Sequence, residues 1–395
     1  MDFEIPDLLL ELKGLVREFV ERYLMPLEET VIRREAERGL SDDPVIPPDV
    51  HEDLLKKAKE LGLWGLDVPK EYGGHGLGAL ARCLVAEELS RTIVPFIFPP
   101  DSPNLEMLIE ACNEEQKEKY LIPYARGEKK SAICISEPWA GSDPRSMRTR
   151  AVKKGNKWVI NGRKIWISRA KEADFLIVMA VTDPDNPRHS ITAFLVDQGT
   201  PGLKIARSIP TIGHSQPYEV VFDDVEVDES QVLGEVGKGF APMQTRLNTR
   251  RVQMGGRALG TATRALEMMI EHANRRVTFG VPLAERQAVQ FMIADSAMEI
   301  ESVRWLTYRT AWKVDRGEAS FTDAAMVKVL ASEMVGRVLD RAIQVHGGMG
   351  VSKDLPLEFM YRQARIDRIV EGPSEVHRWA IARDYLKNGV RRVPS

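Results

Sequence analysis

The sequence predicts a mainly α-helical protein with a β domain set into its middle. Three observations carry that expectation. Apolar residues recur at helical spacing up to about residue 125, short β-branched and aromatic runs fill about 131 to 230, and the helical period returns beyond about 236. The expected organisation is therefore an N-terminal helical domain over 1–125, a small β-barrel or sandwich over 126–235 and a C-terminal four-helix bundle over 236–395.

In the first block, Leu8, Leu12, Leu15 and Phe19, then Leu54, Leu55, Ala58 and Leu61, mark helical faces, and Pro47, Pro48, Pro69, Gly73 and Gly74 divide them. The proline-rich stretch Val94 to Pro103 reads as a long loop. In the second block the expected strands are SAICIS, KWVI, KIWIS, DFLIVMAVT, SITAFLV and YEVVF. Asn161-Gly162 is read as a hairpin turn between two of them, because both residues tolerate positive φ. The third block has long helical stretches through Leu259, Ala262, Leu266, Met269, Ile270 and Ala273, through Ile293, Ala297, Ile300 and Val303, and through Val327, Leu330, Met334 and Val338. No GxGxxG follows a strand and no GxxxxGK[ST] loop occurs, so any dinucleotide is held by other means.

Composition narrows the function. A net charge of -3 gives no electrostatic reason for nucleic acid or an anionic membrane as the main partner. No run approaches the roughly 18 apolar residues that suggest a membrane span, so no membrane insertion is expected. Cys83, Cys112 and Cys134 lack metal or disulfide spacing, the histidines lack metal spacing, and the acidic N-terminus resembles neither a secretory nor a transit signal. A cytoplasmic protein without a metal is expected.

Several segments carry candidate chemistry. Glu371, flanked by Ile369 and Val370 and followed by Gly372-Pro373, is either a desolvated general base with a raised pKa or a dipole-favoured residue at a helix start. Ser136-Glu-Pro-Trp-Ala-Gly-Ser-Asp143 offers hydroxyls and backbone NH groups to a phosphate or ring edge, or is simply a turn. Trp166 and Ser168 share a strand face, where the Trp either covers a flat heterocycle or fills a core. The arginines of Asn274-Arg-Arg-Val-Thr-Phe-Gly280 suit a diphosphate or a solvated helix end. Arg246, Arg250 and Arg251 form an anion-binding stripe or a charged face, His346-Gly-Gly-Met-Gly350 permits close backbone approach, and His377 reads as structural.

Taken together, CISEPWAGSD, KWVINGRKIWIS, RRVTFG with Gln287, QVHGGMG and VEGPSEVHRWAIARDYL resemble the acyl-CoA dehydrogenase family over essentially the whole chain. The resemblance implies FAD between the β domain and the bundle, with Cys134, Ser136, Trp166 and Ser168 at the isoalloxazine and Gly141, Pro373 and Glu375 among the cofactor contacts. It implies Ser142 near the CoA pantetheine or phosphate as well as the cofactor, and Asn248, Arg251 and Gly372 on the substrate. Arg276, Thr278, Gln287, Gln344 and Gly348 would reach the FAD diphosphate and adenosine from a neighbouring subunit, so a homodimer or homotetramer is implied.

The same resemblance makes Glu371 the base that takes the α-proton of an acyl-CoA thioester while the β-hydride passes to flavin N5, giving a trans-2-enoyl-CoA. The thioester carbonyl would be held by the Glu371 NH and a flavin hydroxyl, and the electrons would pass to an electron-transfer flavoprotein. Some members carry the base at the position held here by Arg250, which cannot serve. Trp139, Pro373 and Glu375 depart from the common pattern, and EGPSEVH resembles the subgroup related to animal acyl-CoA dehydrogenases 10 and 11. The loop Phe96–Asn104, expected near the acyl tail, leaves the chain length open. The alternatives are an acyl-CoA oxidase that uses oxygen and a non-catalytic acyl-CoA or flavin-binding protein on the same scaffold.

Overall fold

The computed structural model describes residues 4–100, 104–187 and 190–390. Helix α1 (Asp7–Phe19) runs through a widened turn at Val20–Leu24 and a tightened one at Met25–Leu27 into α2 (Glu28–Arg38). The winding changes beside Pro26, which cannot donate a backbone hydrogen bond and crowds the preceding turn. Next come α3 (Pro48–Glu60), α4 (Gly78–Leu89), α5 (Leu105–Ala111), α6 (Glu114–Gln116) and α7 (Ile122–Ala125). The segment from Ile93 to Pro100 is a loop, anchored by Phe96 and Phe98 against Phe19 at ring separations of 5.6 and 5.2 Å. The end of this expected loop, 101–103, lies outside the described residues.

The strands are β1 (Ser131–Cys134), β2 (Arg150–Lys154), β3 (Lys157–Ile167), β4 (Phe175–Val181), β5 (Ile191–Asp197), β6 (Leu203–Ser208), β7 (Tyr218–Asp228) and β8 (Val232–Leu233). They form one open path, β6-β7-β3-β2-β4-β5-β8, with β1 parallel to β4. No pairing joins β6 to β8 among the described residues, so the barrel alternative is corrected to an unclosed sheet. β4 is buried along its whole length. Leu176 and Val178 on one side join the β-domain core of Ile160, Phe194 and Val220, while Phe175, Ile177 and Met179 on the other pack on Leu105, Leu108, Tyr120 and Tyr124. Burial on both faces explains why its sequence is a continuous apolar run.

The Asn161-Gly162 expectation is also corrected. These residues lie inside β3, and the hairpin turn is Gly155-Asn156, between β2 and β3, where Gly155 has φ +64°. The register between β3 and β7 slips at Ile160/Gly162, with Asp224 at φ +51°. The Asn161 amide spends its hydrogen bonds on that irregularity, donating to Asp224 Oδ1 (2.9 Å) and accepting from the Asp224 NH (2.8 Å). Gly162 is needed for closeness rather than turning, since a Cβ there would lie 2.4 Å from Thr149 Oγ1.

The remaining elements are α8 (Phe240–Arg275), the two-strand β9 (Val277–Thr278) and β10 (Val281–Pro282), α9 (Gln287–Asp315), α10 (Phe321–His346), α11 (Leu357–Ile366) and α12 (Ser374–Asn388). α8 and α10 pack along Leu259, Ala262, Ala265, Met269, Met334, Val338 and Ala342, all at most 3% exposed. Gly256 and Gly260, one turn apart, let α4 lie directly on α8: a Cβ would fall 2.3 Å from Cys83 O and 1.8 Å from Glu87 O. That contact fixes the helix whose opposite stripe lines the cavity described next. Among the described residues no helix is long and apolar enough to cross a membrane.

Candidate active site

A cavity of about 2220 Å³ opens where the Ile93–Pro100 loop, the β domain, α8 and the turn between α11 and α12 meet. Of the residues singled out in the sequence, Ser136, Gly141, Ser142, Trp166, Ser168, Arg246, Arg250, Arg251, Glu371, Gly372 and Pro373 line it. The β-domain wall is built by an exposed loop after β1 and the end of β3. Trp166 adopts φ +63°, uncommon for a bulky side chain, and leaves its indole 55% exposed on this wall.

A buried ion pair holds the two wall segments together. Lys164 Nζ sits 2.9 Å from Glu137 Oε1 and donates to Ile135 O at 3.0 Å, while Glu137 accepts from the NH groups of Arg148 (2.6 Å) and Thr149 (2.9 Å). Both side chains are fully buried. Burial pulls the Glu137 pKa up, but the Lys164 charge and the hydrogen bonds outweigh it and hold the carboxyl below the usual range. Neither residue was singled out in the sequence. The available signal was a lysine on the inward-facing side of a strand, where it must find a partner.

Glu371 stands on the opposite wall with φ +56°, directly before Gly372 at φ +94°. This left-handed turn ends α11 and starts α12. The Glu371 carbonyl accepts from Arg251 Nε (3.1 Å) and His377 Nε2 (3.0 Å). His377 must therefore carry its proton on Nε2, and burial pushes its pKa down to about 4, so it is neutral. Its role is to fix the Glu371 turn. The Glu371 NH makes no backbone hydrogen bond among the described residues.

The Glu371 carboxylate receives Arg246 Nη1 at 2.8 Å, and Arg250 Nε approaches to 4.0 Å. From the flanking apolar residues alone, desolvation is expected to raise this pKa. Burial does push it up, but the charges of Arg246, Arg250 and Arg251 prevail and hold it below the ordinary value of 4.5. The correction has a simple cause: the stripe on α8 and the turn 120 residues later share one pocket, a proximity that sequence spacing does not reveal. Burial lowers Arg250 and Arg251 to about 10, leaving both cationic at neutral pH. Arg251 Nη1 also donates to Asn248 Oδ1 at 2.8 Å, and Asn248 itself is off the cavity wall.

Other expected contacts fall elsewhere. Cys134 is 0% exposed within the β-domain core, its thiol pushed up to about 12 by burial, so its side chain is not on the wall. Glu375 is exposed on the first turn of α12, off the cavity. Arg276, Thr278, Gln287, Gln344 and Gly348 gather instead at the end of the helical domain where α8 and α10 finish, brought together by His272 stacked on His346 at 4.3 Å. All but the half-buried Thr278 are exposed, and none lines this chain's cavity.

The chain matches three family models: acyl-CoA dehydrogenase N-terminal domain over residues 9–128, middle domain over 132–225 and C-terminal domain over 237–386. It is 44% identical over 397 residues to the (R)-benzylsuccinyl-CoA dehydrogenase of Thauera aromatica, covering 98% of each chain. Its fold matches butyryl-CoA dehydrogenase from Megasphaera elsdenii with a TM-score of 0.86 at 33% identity, covering 98% of this chain and 100% of the other. The FAD complex of PigA matches with a TM-score of 0.84 at 29% identity, over 97% and 99% of the two chains.

The residues present fit FAD. The cavity has an exposed indole on one wall, hydroxyls at Ser136, Ser142 and Ser168, and room for a tricyclic ring together with a thioester. An uncovered tryptophan held in a sparsely populated backbone conformation is what a flat partner would cover. With three consecutive family models spanning nearly its whole length, this chain belongs to the acyl-CoA dehydrogenase family, FAD-binding oxidoreductases.

Proposed function

We propose that this enzyme dehydrogenates an acyl-CoA thioester between its α and β carbons, with Glu371 as the base. The supporting observation is a glutamate lining the same cavity as Ser136, Ser142, Trp166 and Ser168, whose own NH makes no backbone hydrogen bond among the described residues. FAD supplies the hydride acceptor when bound. The chain's own residues do the rest. Glu371, ionised at neutral pH, accepts the α-proton, and its NH donates to the thioester oxygen as negative charge develops there. Arg251 and His377 keep that NH and the carboxylate in one orientation by clamping the intervening carbonyl. Ser142 and Arg251, both on the cavity wall, orient the CoA portion, and Asn248 accepts from Arg251 from behind that wall. Electrons leave to an electron-transfer flavoprotein, and three buried free thiols suit a reducing, cytoplasmic setting.

The working unit is a homodimer or homotetramer, in which Arg276, Thr278, Gln287, Gln344 and Gly348 reach the partner's cofactor. Two exposed features support this reading. Phe279 is 98% exposed beside Arg276, and α9 carries an exposed stripe of Phe291, Met298, Trp305 and Trp312 at seven-residue intervals, each at least 46% exposed. Such a stripe extends about 30 Å at 1.5 Å per residue and is the kind of apolar surface that a second copy covers.

Anaerobic titration of the FAD-loaded protein with a panel of acyl-CoAs tests the activity. Stoichiometric loss of flavin absorbance with at least one thioester is expected. If no thioester bleaches the flavin, the dehydrogenase reading fails.

A further inference from the structure

We propose that the substrate is a CoA monothioester of a short dicarboxylic acid, whose free carboxylate docks on Arg250 and Arg257. This rests on the dehydrogenation reading above and narrows its substrate class. Arg246, Arg250 and Arg257 lie four and seven residues apart on α8, so they form one stripe, and all three line the cavity together with Gln253. Arg246 is engaged by Glu371 and also reaches Asn104 Oδ1 at 3.3 Å. Arg250 donates to the neutral Gln253 at 2.6 Å and only skirts Glu371. Arg257 makes no hydrogen bond or ion pair among the described residues, although Asp367 and Arg250 are close enough to act on it through space.

Arg246, Arg250, Arg251 and Arg257, with Lys328 beside them, thus face Glu371 and Asp367, while Glu375 acts on Lys328 from the exposed start of α12. The Lys328 Nζ is buried without a hydrogen-bond partner among the described residues, and the cations outnumber these three carboxylates. Partly desolvated guanidinium groups in excess of their counter-ions are costly unless an anion completes the site. The CoA phosphates cannot be that anion in any discriminating sense, because every acyl-CoA carries them. A purely aliphatic acyl tail would have to lie against these charges.

The geometry also limits chain length. Arg250 Nε is 4.0 Å from Glu371 Oε1, the carboxylate oxygen that Arg246 Nη1 does not hold, so a carboxylate on Arg250 sits a few bonds from the reacting carbons. A succinyl- or glutaryl-sized acyl group satisfies this, with Arg257, about 10 Å further along the helix at 1.5 Å per residue, taking the longer member or a second carboxylate oxygen.

The test compares the holoenzyme's reaction with glutaryl-CoA and a 2-substituted succinyl-CoA against butyryl-CoA, valeryl-CoA and the methyl ester of glutaryl-CoA. Flavin bleaching and kcat/KM are followed. Non-oxidisable alkyl thioethers of CoA, with and without a terminal carboxylate, report binding alone. For the wild type, a carboxylate preference of about 100-fold is expected from charge-assisted pairing in a desolvated site, in the thioether affinities as well as in kcat/KM. Arg250→Gln and Arg257→Gln should each cut that preference about 10-fold. Equal use of neutral and carboxylated thioesters, or variants that leave the ratio unchanged, overturns the dicarboxylate proposal while dehydrogenation stands. If no thioester of either class bleaches the flavin, both readings fall.

Discussion

Arg246 Nη1 lies 2.8 Å from Glu371 Oε2, an ion pair between residues 125 positions apart that joins the long helix α8 to the turn preceding α12. It fixes the direction in which the proposed base points, and it lowers its basicity. The consequence is a carboxylate that stays ionised at neutral pH in the free enzyme and that gains basicity when something else occupies the arginines.

Replacing Glu371 by Gln keeps the shape of the side chain and its ability to meet Arg246 while removing the proton acceptor. FAD content and affinity for a non-oxidisable thioether should stay near wild type. The rate of flavin reduction should fall by about 10²- to 10⁴-fold, the usual size of general-base catalysis. Stopped-flow flavin reduction checks this, and a near-normal rate would move the base elsewhere.

The pH dependence follows from the direction of the Glu371 shift. A depressed folded pKa means that the active, ionised form persists until the pH falls below the ordinary 4.5. The acid limb of kcat/KM, which reports the free enzyme, should therefore lie below that value. A bound substrate carboxylate would draw Arg250 away from Glu371 and raise its pKa in the complex, so the acid limb of kcat should appear at higher pH than that of kcat/KM. Coincident limbs near neutrality would contradict both steps.

Much of this arrangement could be read from the residues. Runs such as FLIVMAV specify a strand buried on both faces, and α10 announces itself by Val327, Met334 and Val338 recurring at helical spacing. β2 escaped because RAVKK is exposed at all but Ala151, and β6 because its alternation is confined to Leu203 and Ile205 on either side of Lys204, too short a run to mark a half-buried strand. Asn161-Gly162 misled because turn chemistry can serve a bulge as well as a hairpin. The exposed stripe of α9 was present in the sequence, since Phe291, Met298, Trp305 and Trp312 surround a helix that is already apolar at Ile300 and Val303. The sign of the Glu371 shift was not legible, because it depends on which charges the fold gathers around one carboxylate.

The Glu137–Lys164 pair gives a prediction about the β-domain wall. Lys164→Met strands a fully buried carboxylate and should cost about 3–5 kcal/mol, with weakened FAD retention because the Ser136 loop and the Trp166 strand end lose their tie. The double substitution Glu137→Gln with Lys164→Met leaves no buried charge and should recover part of that loss. Denaturant unfolding with flavin fluorescence as a second readout distinguishes them. Simple additivity of the two single changes would remove the pair from its positioning role.

Gly260→Ala tests the seat of α8. In an exposed helix the change would stabilise by up to about 1 kcal/mol through propensity. Here the added Cβ would meet Glu87 O at 1.8 Å, and the neighbour is backbone that cannot rotate away. Overpacking of this kind costs about 1–3 kcal/mol or more, so the net effect is a lowered Tm. Because α4 must move off α8, the arginine stripe shifts with it, and thioester affinity should fall together with stability. An unchanged or raised Tm would show that the two helices are not held at this distance.

The assembly reading is tested by Trp305→Glu, at the centre of the α9 stripe and 46% exposed. In an isolated monomer this exchange removes an exposed aromatic ring, and its cost should stay within about 0.5 kcal/mol, as for other surface positions. In a copy-to-copy interface it buries a charge without a partner, which costs several kcal/mol and splits the oligomer. Light scattering after size exclusion should therefore show a smaller species for the variant than for the wild type. FAD provides the second readout. If Arg276 and Gln344 serve the partner's cofactor, a substitution that separates the subunits through the end of the helical domain, Phe279→Asp, should shed FAD in proportion to the dissociated fraction, although residue 279 is remote from the chain's own cavity. Dissociation with full FAD retention would place the whole cofactor within one chain and end the shared-site reading.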